Sequence, residues 1–151
     1  YECRPEFEVY IHIGVNNPIF APIIRPKLLG DPLDHNTYID GLHLCRSIGE
    51  TRSMSQYISH EMTPGINVTS DEQMLQFARD TGATTYHPMG TCKMGSDRLA
   101  VVDDNLRVHG LEGLRVVDAS IMPTMPSGNI NAPVIMIAEK AADMIKADAI
   151  N

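Results

Sequence analysis

The stretch that decides the fold is residues 113–133, which have the sequence GLRVVDASIMPTMPSGNINAP. Residues 114–118 are mostly apolar and contain two adjacent valines, and they predict a short buried strand. Residues 119–131 contain prolines and a glycine without any periodicity, so they predict an irregular connection. Proline is favoured in a first helical turn, and the apolar residues that follow predict a helix from Pro133 to about Lys146.

Two further helices are predicted closer to the N-terminus. Apolar residues spaced three apart over 35–49 indicate the first of them. Ser70 is a typical N-cap, and Gln73 three residues later completes a capping box, so the second helix is expected over 71–81. Gly82 supplies its C-terminal stop.

One further strand is predicted near the N-terminus, which makes the chain a mixed α/β (α+β) protein. Apolar residues alternate with others over 7–15, and this period of two indicates a strand with one buried face. Four prolines then predict an extended, irregular stretch: Pro18, Pro22, Pro26 and Pro32. Residues 83–100 also lack a period. Long structureless stretches in a domain of this size indicate that another chain and a ligand organise them.

The composition is that of an ordinary globular protein, and it excludes two classes. The 151 residues are 43% hydrophobic and 21% charged, and 19 acidic against 12 basic residues give a net charge of −7. An acidic chain has no electrostatic grip on nucleic acid, so we expect no nucleic-acid partner. No apolar run approaches the roughly 20 residues of a membrane span, so we expect no membrane-spanning helix.

The cysteines and one tripeptide bear on the cellular compartment. Cys3, Cys45 and Cys92 are widely spaced, and either one disulfide or three reduced thiols fits them. Asn67-Val68-Thr69 is an N-glycosylation acceptor, which favours a secreted protein while leaving the compartment open. Cys92 follows His87 by five residues, but no third ligand stands at zinc-like spacing, so we expect no metal site.

Two motifs, in this order along the chain, carry a family resemblance. The first is YHPMGTCKMG at residues 86–95, and the second is the stretch 113–133. Together they resemble the C-terminal part of the glucose–methanol–choline (GMC) oxidoreductases, the FAD-dependent alcohol oxidases and dehydrogenases. The close match spans about residues 84–147, and a looser one through Pro26 and Asp34 extends it towards the N-terminus.

The resemblance implies a division of the chain into three parts. Residues 1–82 would belong to an antiparallel-sheet substrate-binding domain, residues 83–113 would form an active-site segment, and residues 114–151 would supply the last strand and helix of the FAD-binding domain. The family also implies a glycine-rich turn for the FAD pyrophosphate, and no GxGxxG occurs in these 151 residues. We therefore expect a partner, the N-terminal chain or portion of the same enzyme, and favour a processed enzyme whose two chains stay together.

His87 and Asn129 are the expected catalytic residues. His87 lies in the first motif, and an imidazole can take the hydroxyl proton of an alcohol near neutral pH. Asn129 falls where the family has a histidine or an asparagine, and its amide can donate to the substrate oxygen but cannot exchange protons. The competing interpretations are a structural histidine and a turn asparagine.

Five residues are expected to contact FAD: Asp118, Ala119, Asn131, Ala132 and Pro133. The first two end the predicted strand, and ligand crevices of such sheets lie at the carboxyl ends of strands. The alternative for the aspartate is that it caps the next turn. The other three open the last helix, whose positive end would stabilise negative charge on the flavin after hydride arrives.

The resemblance thus implies an enzyme that oxidises a small-molecule alcohol to a carbonyl, by proton abstraction and hydride transfer to FAD. Two alternatives stay open. One is a flavin-containing hydroxynitrile lyase of the same fold, and the other is a non-catalytic interaction domain that retains the motif residues only for packing.

Overall fold

The computed structural model describes residues 5–6 and 8–150, and it divides them into a unit that ends at Ala83 and a unit that begins at Thr84. Within these residues the N-terminal unit contains a small sheet and three helices, and the C-terminal unit contains one long helix and a short 3-10 turn. This mixture of helices with a small antiparallel sheet agrees with the predicted class. No helix in the described part of the chain combines the length and the apolar character needed to cross a bilayer.

The sheet of the N-terminal unit consists of β1 (Val9–His12) and β2 (Ile23–Pro26), which run antiparallel with Val9 opposite Pro26 and His12 opposite Ile23. The strand expected over 7–15 is therefore present but shorter, and Phe7 lies outside the described residues. β2 was not predicted, although two adjacent β-branched isoleucines open it. Pro26 is compatible with this strand because an edge strand can lack one N–H.

The expected burial of one face of β1 is wrong for this unit. Every residue of both strands is exposed, and Ile11 in the middle of β1 retains 49% of its accessible surface. A sheet face is buried only when a second layer covers it. Alternation of apolar residues predicts a strand, but it does not predict which segment, if any, of the same unit covers that strand. The alternation still identified the strand correctly.

The helices of this unit are α1 (Pro32–Gly49), the short α2 (Arg52–Ser55) and α3 (Asp71–Thr81). α1 begins earlier than expected because Asp31 is its N-cap and accepts a 2.8 Å hydrogen bond from the Leu33 N–H. Proline at the first helical position needs no N–H partner, so Asp31-Pro32 was the start signal.

The helix expected over 71–81 is confirmed together with its capping box. Ser70 Oγ accepts from the Gln73 N–H at 3.2 Å, and Gln73 Oε1 accepts from the Ser70 N–H at 3.0 Å. Gly82 is the C-cap, and a Cβ there would stand 2.5 Å from the Ala78 carbonyl oxygen. Both ends of this helix are determined by residues within one turn of them.

The C-terminal unit packs around α4 (Asn131–Ile150), whose Ile137 and Ala141 are buried against a small core. The remaining buried members of this core are Val102, Leu106, Ile121, Met122 and Ile130. The helix predicted from Pro133 to about Lys146 is confirmed with slightly wider bounds. Proline is the third helical residue and still lies in the first turn, where no intrahelical N–H bond is lost.

The strand predicted over 114–118 is not formed in this unit. Arg115 makes one isolated bridge with Arg107, and the following Val116 and Val117 pack half-buried against the core instead. A strand requires a neighbour that pairs over several residues, and the segment around Arg107 supplies one pair. The predicted burial is only partial, because Val116 and Val117 are half-buried while Leu114 keeps 50% of its accessible surface, and the described residues supply no strand that pairs with this run.

Candidate active site

The segment that carries His87 is attached to the 3-10 turn Ala119–Ile121 by three backbone hydrogen bonds. They run from Gly90 N–H to Ala119 O at 3.3 Å, from Cys92 N–H to Ser120 O at 2.9 Å, and from Met94 N–H to Ile121 O at 2.8 Å. Gly90 has φ +85°, and a Cβ there would lie 3.3 Å from the Met122 carbonyl oxygen. The first motif therefore needs this glycine to lie against the second.

The residue before His87 adopts an uncommon backbone conformation. Tyr86 has φ +61°, in the left-handed region that an aromatic residue rarely occupies. Its N–H donates to Thr84 Oγ1 at 3.0 Å, while its side chain is exposed. Such a conformation costs roughly 1–3 kcal/mol and is typical of sites where the chain must aim a functional side chain.

The structure brings His87 and Asn129 together, although they are 42 residues apart in sequence. The Asn129 side-chain oxygen accepts from the Asn131 backbone N–H at 2.9 Å, and its Nδ2 lies 3.0 Å from His87 Nε2. A backbone N–H can only donate, so the first bond identifies which end of the amide is the oxygen. The nitrogen is therefore the end that faces the imidazole.

This orientation also determines the role of the imidazole nitrogen. The Asn129 amide nitrogen has two hydrogens and no available lone pair, so it donates and His87 Nε2 accepts. In the neutral ring the proton then resides on Nδ1. His87 is half-buried and Asn129 is exposed, so the pair is accessible to a molecule from outside.

Asp118 caps the 3-10 turn, as one of the two sequence interpretations proposed. Its carboxylate accepts from the Ser120 N–H at 2.7 Å, and its carbonyl accepts from the Ile121 N–H at 3.3 Å. Ala119 follows and receives the hydrogen bond from Gly90, which links this turn to the His87 segment. The capping role is therefore observed, and contact of Asp118 or Ala119 with a cofactor stays a prediction.

The first turn of α4 lies beside the histidine–asparagine pair. Asn131 and Ala132 are exposed and Pro133 is half-buried. The Ile130 carbonyl accepts from the Val134 N–H at 3.0 Å, so the helical hydrogen bonds begin there. N–H groups of a first turn have no intrahelical carbonyl, and they make the end of the helix positive.

The described cysteines are unpaired. Cys45 and Cys92 are free thiols, and Cys3 lies outside the described residues. Among the described residues, no group of three or more histidine, cysteine, aspartate or glutamate side chains could hold a metal ion.

The sequence profile of the GMC oxidoreductases matches residues 5–138 of the chain. The chain belongs to the GMC oxidoreductase family. It is 49% identical over 144 residues to an alcohol dehydrogenase (acceptor) of Pseudomonas putida, a match that covers 95% of this chain and 26% of that protein. An oxygen-dependent choline dehydrogenase of Pseudomonas syringae pv. tomato is 46% identical over 136 residues, covering 90% of this chain and 24% of that protein.

Solved structures agree with this assignment. Pyridoxine 4-oxidase from Mesorbium loti has a TM-score of 0.87 and 36% identity, over 93% of this GMC chain and 28% of that one. An FAD-dependent oxidoreductase from Chaetomium thermophilum has a TM-score of 0.93 and 31% identity, and the match covers 99% of this GMC chain and 26% of that one. The GMC chain spans about a quarter of the length of the curated relatives it matches.

Three features of the site in this GMC chain were missed by sequence reasoning. The hydrogen bond from the Asn131 N–H to Asn129 had a signal, because an asparagine two residues before a helix often forms such a turn. The need for glycine at position 90 had a weaker signal, namely a glycine within a stretch that shows no helical or strand periodicity. The left-handed conformation of Tyr86 had none, since aromatic residues rarely adopt it.

Proposed function

We propose that this GMC chain is the C-terminal part of an FAD-dependent enzyme that oxidises an alcohol to a carbonyl compound. One observation carries the proposal: His87 Nε2 and Asn129 Nδ2 face each other at 3.0 Å, with the nitrogen lone pair and the amide hydrogens directed at one another. Oxidation of an alcohol requires a group that accepts the hydroxyl proton and a hydrogen-bond donor that stabilises the oxygen left behind. His87 and Asn129 place one of each side by side. The names of the relatives support the same class of reaction.

The residues of this chain fit a flavin. The first turn of α4 presents the Ala132 N–H and the exposed Asn131 side-chain amide, and these donors at a positive helix end suit the acceptor-rich edge of an isoalloxazine. Asn131, Ala132 and Pro133 would hold that edge, and Asp118 and Ala119 would approach it from the neighbouring turn. When bound, FAD supplies the hydride acceptor.

In the resting site, the His87 lone pair is already engaged by Asn129. An alcohol that enters must take the place of this bond, because a neutral imidazole nitrogen has one lone pair. Its hydroxyl then donates to His87 Nε2, and an Asn129 N–H donates to its oxygen. One hydrogen bond is lost and two are formed, so the substrate oxygen fits between the two side chains. His87 takes the proton, and Asn129 stabilises the oxygen that has lost it.

The rest of the FAD site belongs to a partner portion of the enzyme. This chain lacks a GxGxxG, and its matches cover about a quarter of the relatives. An N-terminal portion would therefore supply the glycine-rich turn. Residues 1–82 would belong to the substrate-binding domain, residues 83–113 would form the active-site segment, and residues 114–151 would join the FAD-binding domain. The division into units between Ala83 and Thr84 supports this boundary.

The test is an anaerobic absorption spectrum of the complete flavoprotein with a panel of primary alcohols. An alcohol oxidoreductase should lose its flavin absorption when the substrate is added without oxygen. A yellow protein that never bleaches, yet releases a carbonyl compound and cyanide from a cyanohydrin, would indicate a lyase and contradict the proposal. A colourless complete protein would indicate a non-catalytic domain and contradict it as well.

A further inference from the structure

The backbone N–H of Asn131 makes a hydrogen bond that is not part of the hydrogen-bond pattern of its helix. Asn131 is the first residue of α4, so its N–H has no carbonyl partner within the helix. The N–H donates instead to Asn129 Oδ1 at 2.9 Å. The other end of that amide donates to His87 Nε2. The three groups therefore form one chain of hydrogen bonds with a single direction.

We propose that the Asn131 N–H is a positioning group that selects the tautomer of His87. It holds the Asn129 amide with Nδ2 towards the imidazole, and the amide in turn holds His87 with its proton on Nδ1 and its lone pair on Nε2. The link from this tautomer to catalysis rests on the proposed function, because only a lone pair on Nε2 can accept the proton of the alcohol there.

The amide requires such a group because its two ends have nearly the same shape. Turned over, Asn129 would present its oxygen to His87 Nε2, and the imidazole could satisfy that oxygen by carrying its proton on Nε2. Judged only by the bond between these two side chains, both arrangements are satisfied. Turning the amide would, however, place its NH₂ against the Asn131 N–H, so that two donors would face each other. The backbone hydrogen bond therefore favours the arrangement with Nδ2 towards His87.

The position of this N–H is well determined by the fold. α4 has 20 residues, and Ile137 and Ala141 anchor it in the core of the C-terminal unit. The Ile130 carbonyl accepts the first helical bond from Val134, which orients the peptide that precedes Asn131. Asn129 precedes this helix start by two residues, a spacing at which an asparagine side chain commonly accepts from the backbone.

A proline at position 131 isolates the backbone group. Proline is favoured at the first helical position, so Asn131→Pro is compatible with α4. It removes the N–H and places a ring methylene where the hydrogen was, so the Asn129 oxygen must turn away. Asn131→Ala is the matched control, because it removes the same side chain but keeps the N–H.

The first readout is the tautomer, measured in the complete flavoprotein without substrate by ¹⁵N NMR with labelled histidine, with His87→Gln identifying the signal. Wild type and Asn131→Ala should both show the His87 proton on Nδ1. Asn131→Pro should shift the population towards Nε2–H by about tenfold or more, the change that corresponds to losing one hydrogen bond. An Nδ1–H population in Asn131→Pro equal to that of wild type would overturn the proposal, whatever happens to activity.

A second variant keeps the proposal testable if Asn131→Pro does not fold. Asn129→Asp still accepts from the Asn131 N–H, but it faces His87 with a second acceptor oxygen. It should place a proton on His87 Nε2, and an Nε2 that stays unprotonated would overturn the proposal. The same samples separate this inference from the proposed function. If wild-type flavin is not reduced by any alcohol while the tautomer shifts as expected, the proposed function fails and the positioning role stands.

Discussion

His87 supplies the imidazole of the site, and its Nε2 lies 3.0 Å from the Asn129 amide nitrogen. We expect His87→Ala to slow anaerobic flavin reduction about 10²–10⁴-fold, the usual contribution of a positioned general base. Flavin should remain bound, because His87 is assigned to the substrate. Stopped-flow absorbance measures both.

The control for this substitution is His60→Ala. His60 is exposed in the N-terminal unit and hydrogen-bonds the neighbouring Ser59 hydroxyl at 3.0 Å. The His60→Ala variant also loses one imidazole, and its rate of flavin reduction should match that of wild type. An unchanged rate in His87→Ala would remove His87 from the mechanism.

In the proposed reaction, Asn129 donates to the alcohol oxygen whose proton His87 takes. Asn129→Ala should lose about 2–4 kcal/mol of transition-state stabilisation, as oxyanion sites do when one donor is removed. The loss should appear mainly in the limiting rate of flavin reduction, with substrate affinity less affected. Asn129→His should restore part of the rate, since an imidazole can also donate. A rate in Asn129→Ala equal to that of wild type would show that the amide is only a turn residue.

At the scale of elements, the last turn of α4 is hydrogen-bonded to Arg107 and to Arg115, which lies at the start of the second motif. Asp148 Oδ2 accepts from Arg107 at 2.6 Å and from Arg115, whose Nε also donates to the Asn105 carbonyl at 3.0 Å. The hydrogen bond from Arg107, and next that from Arg115, holds the pKa of Asp148 below its ordinary value of 3.8. The pair is partly exposed, so its contribution is screened by water.

A lowered pKa has a definite consequence for stability. The ionised Asp148 stabilises the end of α4 fully above pH 3.8, the value in the unfolded chain, and this contribution is lost as the pH falls through the lower folded value. Asp148→Asn should therefore exchange amide hydrogens faster than wild type over 140–150 at neutral pH. The difference should shrink below pH 3.8, as followed by hydrogen-exchange mass spectrometry.

Asp143→Asn provides the matched control on the same helix. Asp143 is exposed and pairs with Lys146 at 3.7 Å within the helix, and among the described residues it has no bond to another segment. It should change exchange at the helix end little at any pH. If both substitutions had the same effect, the bonds to the two arginines would not hold the end of α4.

At the scale of the whole molecule, apolar side chains without cover are the dominant feature of the N-terminal unit. Ile13 and Ile19 retain 88% and 89% of their accessible surface, and Phe20 retains 66%. Exposed apolar groups of this size normally lie against another part of the protein. In the proposed enzyme, the portion that carries the glycine-rich turn is the candidate for this cover.

We therefore expect the 151-residue chain expressed alone to aggregate or to bind a hydrophobic dye, and to bind no FAD. Co-expression with the glycine-rich portion of the enzyme should abolish the dye binding and yield a yellow complex. Size-exclusion chromatography with absorbance detection measures both. A cooperative melt of the isolated chain with bound FAD would contradict this expectation.

The features that the sequence predicted correctly depend on residues within about one helical turn. Ser70 and Gln73 each accept a hydrogen bond from the backbone N–H of the other, so the local sequence predicted the start of α3. The proposal that His87 and Asn129 are catalytic depends on the family resemblance of the two motifs, because no property of an isolated histidine or asparagine assigns it to catalysis.

What only the tertiary structure decided involves partners distant in the chain. Alternation located β1, but its pairing with β2 and the exposure of both strands depend on which layers lie above them. Residues 114–118 have the composition of a strand and form one bridge, since pairing requires a neighbour. His87 and Asn129 meet across 42 residues because Gly90 docks on one turn while α4 begins beside it. Local hydrogen bonds are encoded by neighbouring residues, whereas these contacts exist only once the chain has folded back on itself.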